Sequence, residues 1–161
     1  MRAKVVHRGD VWCLEFEEPY SILGMFLLAD VGKSRQGGNY IRGKALSVLS
    51  EGHAPLMTGG NAYYVYMTKE WVLVESQYDE DAQPVVLSMQ AFLRLLNYWK
   101  SITSISQKQA PPEDYPEFCY DDSAVSEISP EKVLGEFKQT QRDSDSNYPV
   151  RHRSRRRRRM P

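Results

Sequence analysis

In Val11-Trp-Cys-Leu-Glu-Phe16 the apolar Trp12, Leu14 and Phe16 fall on every second position. That is the period of a strand turning one face inward. β structure is expected from Val5 to Phe16, with Gly9-Asp10 as a turn signal within it. Residues 20–31 are apolar nearly throughout, short, and broken by Gly24, and they read as a buried strand. Residues 32–39 are polar and Gly-rich, a loop. Residues 44–50 return to strand-like alternation, and residues 51–61, with Gly52, Pro55, Gly59 and Gly60, form a second loop. Residues 62–67 and 71–75 predict a hairpin joined by Thr68, Lys69 and Glu70. Alternation along this hairpin places Tyr64 and Tyr66 on the face opposite Tyr63 and Val65, so one set is expected to be buried. The other, with Trp71, could stack bases where exposed.

The period changes at Ser88. This residue suits a helix cap, and Met89, Phe92, Leu93, Leu96 and Trp99 then recur at three- and four-residue steps, the stripe of an amphipathic helix. Arg94 and Lys100 lie off that stripe, and the helix is expected to end near 101–104. Five strands followed by one long helix predict an α+β body over residues 1–106. Its form would be a small twisted antiparallel sheet, or a partly open SH3-like barrel with the helix closing one side. Beyond residue 107 the composition turns Pro-rich and acidic, and residues 107–150 read as a linker. Within it, Ser129, Pro130 and Glu131 begin a short helix at 130–138, with Val133, Leu134 and Phe137 as an apolar face that docks on the body or orders on a partner. Residues 151–161 read as a disordered tail.

A 41% hydrophobic content over 161 residues supports a folded body. Cys13 and Cys119 stand about a hundred residues apart, and His7, His53 and His152 are scattered. This spacing supplies neither a disulfide framework nor a metal site, and no cofactor is expected. Cys13 reads as core packing. No secretory leader and no span of roughly 20 apolar residues is legible, so an intracellular protein, cytoplasmic or nuclear, is expected.

Charge divides the chain more sharply than hydropathy. The 21 basic and 21 acidic residues cancel overall. By position, residues 1–110 hold 11 of each, residues 111–150 hold 3 basic and 10 acidic, and residues 151–161 hold seven arginines and no acid. Those arginines are Arg151, Arg153, Arg155, Arg156, Arg157, Arg158 and Arg159. Guanidinium groups are permanently charged and pair with phosphate through two donors. The tail is therefore expected to grip the backbone of RNA or DNA without reading bases, and it also fits a nuclear-import signal. The acidic stretch is its intramolecular competitor, with Asp121, Asp122 and Glu127 as the autoinhibitory carboxylates. Tyr115, Phe118 and Tyr120 between the acids give the linker the look of a protein-docking segment. The leading expectation is a non-enzymatic nucleic-acid-binding accessory protein, and the alternative is a protein-interaction adaptor.

A further alternative rests on two motifs. Arg8-Gly-Asp-Val-Trp12, together with the Gln36-Gly-Gly38 segment leading through Arg42 to the apolar residues up to Ser50, resembles the MazF/PemK-type ribonuclease toxins. Barrel-fold immunity proteins of toxin systems begin similarly. The resemblance implies an SH3-like barrel with a late helix and an endoribonuclease activity. Arg42 would be the loop arginine that stabilises charge at the scissile phosphate. The chain departs from the family where Gly43, not Pro, follows Arg42, and the apolar residues 22–31 have no counterpart in the family's short first loop.

Overall fold

The computed structural model describes residues 1–8, 11–32, 35–50, 54–104, 115–125 and 128–146. The Gly9-Asp10 turn, Glu127 and the arginine-rich residues 151–161 lie outside them. Seven strands and four α-helices are described. Strands β1 (Arg2–Arg8) and β2 (Val11–Phe16) pair antiparallel. They lead into α1 (Ile22–Phe26), which continues as a π-helical segment, Leu27–Val31. Helix α2 (Arg35–Leu49) follows, then strands β3 (Leu56–Gly59), β4 (Tyr63–Met67), β5 (Trp71–Ser76) and β6 (Val85–Ser88). Helix α3 (Met89–Thr103), strand β7 (Phe118–Cys119) and helix α4 (Pro130–Ser146) complete the order.

The strands divide between a three-stranded sheet, β2-β1-β7, and a four-stranded sheet, β3-β4-β5-β6, both antiparallel. They close no barrel. The physical reason is that residues 22–31 and 35–49, expected as a strand and as a loop followed by a strand, are helical. Among the described residues no strand bridges the two sheets. In α2, Ile41, Ala45 and Val48 are buried at helical spacing, so packing outweighs the roughly 1 kcal/mol that each interior glycine costs. In α1, Gly24 lets the helix lie on β2. A Cβ there would stand 2.3 Å from the Leu14 carbonyl oxygen. Gly32 ends the π-helical segment at φ +67°, where a side chain would be strained, and its carbonyl accepts the Trp99 indole N–H at 2.8 Å.

The main core lies between the two sheets and helices α1, α2 and α3. Trp12, Leu14 and Phe16 enter it from β2, as their alternation predicts. Phe26 of α1 meets Phe92 of α3 and Tyr63 of β4. Val65, Met67, Val72, Val74, Val85 and Leu87 form the inner face of the four-stranded sheet. Asp30 fastens the far end of that sheet: its carboxylate accepts the backbone N–H groups of Asn61, Ala62 and Tyr63 at 2.7–3.0 Å.

The outer face of the same sheet carries Tyr66, Trp71, Leu73 and Val86, which form a second, smaller core with Val125 and Val133. Helix α4 supplies its cover. Ser129 accepts the Lys132 N–H at 3.3 Å, and the Glu131 carboxyl is held below its usual range by its own backbone N–H and the Ser129 hydroxyl. The helix runs to Ser146, well past the expected residue 138.

Residues 115–125 and 128–137, within the stretch expected to be a linker, pack on the body. Strand β7 joins β1 through Arg2↔Cys119 and Ala3↔Phe118, Phe118 is buried, and α4 seats on the second sheet through Phe137 against Tyr66.

A candidate nucleic-acid interface on helices α2 and α3

Helix α3 begins where the sequence predicts. Ser88 accepts the Ala91 N–H at 3.1 Å, and the Met89 N–H is taken by the Glu70 carbonyl at 2.8 Å. The Ser88 N–H donates to the Asp122 carboxylate at 2.9 Å, so a negative charge sits at the positive end of the helix dipole. Seven α3 side chains are buried, from Met89 to Ile102. Gln90, Arg94, Asn97, Lys100 and Ser101 are left facing solvent.

Two elements flank this solvent ridge. On one side, Arg42 of α2 donates through Nε to Asn97 Oδ1 at 3.1 Å. On the other lie residues 115–120. Tyr98 packs against Tyr115 and Phe118, with ring centroids 6.1 and 5.2 Å away, and donates its hydroxyl proton to the Pro116 carbonyl. The Arg94 guanidinium lies over the Tyr120 ring, 5.1 Å from its centroid, a cation–π contact. Arg94 and Lys100 each stand three residues from Asn97, within one helical turn. On the opposite shoulder of α2, Lys44 lies over the Tyr40 ring at 5.4 Å. Between Arg42 and Lys44, Gly43 leaves open space.

The electrostatic character of this surface follows from an absence in the sequence. Residues 31–50 and 82–112 contain no Asp or Glu, so α2 and α3 carry basic groups and no carboxylate. Burial pushes the Tyr98 hydroxyl up to about 12, with Tyr115 and Glu117 adding to it. Basic side chains interleaved with tyrosines match a polyanion with planar bases. By contrast, in the apolar cleft of about 460 Å³ between β2 and α1, Arg8 is already paired with Glu15 at 2.6 Å.

Among the described residues, those singled out from sequence do not gather at one place. Arg42 stands on a helix, not a loop, and its Nε is engaged by Asn97. Asp122 holds the start of α3, while Asp121 is exposed. Tyr115, Phe118 and Tyr120 are used by the body itself, against Tyr98 and Arg94. Arg94, Asn97 and Lys100 line the candidate surface beside Arg42, with Lys44 on the opposite shoulder of α2, and went unassigned, although the two stretches without Asp or Glu were there to be read. No described helix is long and apolar enough to cross a membrane. No protein-family model matches the chain, and neither a curated protein nor a solved structure does.

Proposed function

We propose that this protein is a non-enzymatic nucleic-acid-binding accessory protein. The observation that carries the reading is the run of seven arginines in residues 151–161, a segment able to neutralise phosphates without base readout. Helices α2 and α3 support it, because they present Arg42, Arg94 and Lys100 and no carboxylate of their own, Glu117 beside Tyr98 being a flanking acid. The same run suits a nuclear-import address, which fits a cytoplasmic or nuclear protein. Of the carboxylates proposed to compete for the tail, Asp122 has a partner in the fold. Competition therefore falls to the exposed Asp121 and to Glu127.

The test is a salt-series titration of the full chain, and of the chain lacking residues 151–161, against RNA and duplex DNA. Seven released counterion equivalents give a log–log slope of roughly −5 to −6. Removal of the tail should abolish most of the affinity and flatten the slope to the share held by α2 and α3. Equal affinity and slope with and without the tail would reject the reading. Cleavage of RNA that disappears in Arg42→Ala would favour the MazF/PemK-like alternative instead.

A further inference from the structure

The outer face of the four-stranded sheet carries a second set of aromatic groups. Tyr64 and Tyr66 alternate on β4 and share that face, with ring centroids 6.4 Å apart. Tyr64 is 37% exposed, beside Met57 at 48%. Its cross-strand partner is Gly59, where a Cβ would stand 3.3 Å from the Tyr64 ring. The ring is thus steadied against backbone while part of it stays open to solvent. The Tyr66 hydroxyl is fixed by Glu75 at 2.8 Å, and its ring is covered by Phe137 of α4, edge to face at 5.4 Å.

That cover is incompletely sealed. Among the described side chains of α4, Val133 and Phe137 are the buried ones. Clefts of about 230 Å³, beside Glu136 and Thr140, and about 220 Å³, beside Pro130, open where α4 meets the sheet and the neighbouring turns. In the sequence only residues 147–150 separate the helix from the arginine run. A strand held by the arginines is therefore kept within a few residues' reach of the end of α4.

We propose that Tyr64 and Tyr66 form a base-stacking surface for single-stranded nucleic acid, and that α4 is its removable cover. The proposal rests on the nucleic-acid reading above and gives it a strand preference. Duplex bases are already stacked and present no face to a sheet, whereas unpaired bases stack on aromatic side chains in a sequence-tolerant way. Phosphates held by the tail bring the strand to the α4 edge. A base seated on Tyr64 is then positioned to replace Phe137 on Tyr66, and further bases cover the apolar Leu73 and Val86 as α4 leaves.

The experiment uses the full chain with 5-iodouracil-substituted 12-mers, one RNA and one DNA, photocrosslinked and mapped by mass spectrometry. Crosslinks at Tyr64 and Tyr66 are expected, and the two arms rank the sugar. Tyr64→Ala, a change at a partly exposed side chain, should weaken single-strand binding about tenfold and leave duplex binding unchanged. Phe137→Ser, which loosens α4, should tighten single-strand binding. Crosslinks confined to residues outside the sheet, or an equal loss for single and double strands in Tyr64→Ala, would overturn the stacking surface while leaving tail binding intact. Failure of the full chain to bind either oligonucleotide at low salt would remove both readings together.

Discussion

On its inner face the four-stranded sheet meets a core to which α3 contributes seven buried side chains, with donors at the α3 N-terminus taken up by Ser88, Glu70 and Asp122. On its outer face it meets α4, whose buried side chains among those described are Val133 and Phe137. Both are regular helices on the same strands, and both start at a serine cap. They differ in how much of each is tied into the rest of the chain. α3 is enclosed in the main core with helices α1 and α2, whereas α4 closes the smaller core on the outer face of one sheet. Regions with few buried contacts open first and at lower free energy, so the comparison predicts a rigid inner half and an outer helix that exchanges more readily.

The sharpest test of that contrast is Phe92→Ala against Phe137→Ala. Removing Phe92 from the middle of the core should cost about 3–5 kcal/mol in urea unfolding and lower the protection of all core amides together. Phe137→Ala should cost less. Its amide-exchange signature should be confined to α4 and the outer strand positions, and equal global loss in both variants would break the distinction. Asp122→Ala comes next, at about 1.5–3 kcal/mol for a charged acceptor removed from a backbone donor. The effect should appear at the start of α3 even though the altered residue lies 34 positions from Ser88. Ser88→Ala should cost about 1 kcal/mol, measured by the same unfolding curve.

The smallest effect is a pH dependence on both faces. Burial, with the Glu75 hydrogen bond, pushes Tyr66 up to about 12, and burial raises Tyr98 to about 12. The unfolded chain ionises these phenols near 10. Their stabilising contribution is therefore complete below pH 10 and is lost as pH rises from about 10 through 12. Absorbance titration near 295 nm should show these two among the late phenols, with Tyr20 and Tyr63 also raised by burial. Tyr66→Phe should remove one of them, flatten the alkaline decline, and cost about 0.5–1.5 kcal/mol at neutral pH.

What was legible in the sequence tracks how locally each element is determined. The β2 alternation, the hairpin around Thr68–Glu70, the Ser88 cap and the Pro130 start each follow from neighbouring residues, and the structure places all four as read. Residues 20–31 and 44–50 failed because short apolar runs look alike as strand and helix. Gly24 resembles a strand break but serves a helix that must approach the Leu14 carbonyl. The buried Ile41, Ala45 and Val48 stripe of α2 was masked by Leu46 and Leu49, both exposed. The basic surface was half legible, because the missing carboxylates can be counted along the chain. That α2 lies beside α3 cannot be, since it depends on long-range packing.

The pairing of Arg2 and Ala3 with Cys119 and Phe118 has a consequence in time. At roughly 5–20 residues per second of synthesis, the first strand waits several seconds or longer for its second neighbour to be made. During that wait β1 has only β2 beside it, and its other edge is open to any strand that comes near. Asp122 arrives in the same late stretch and supplies the carboxylate at the start of α3. A nascent chain halted near residue 106 would therefore carry an unpaired strand edge and a helix lacking its acidic cap. Completion of the body depends on residues that composition alone would have assigned to a spacer.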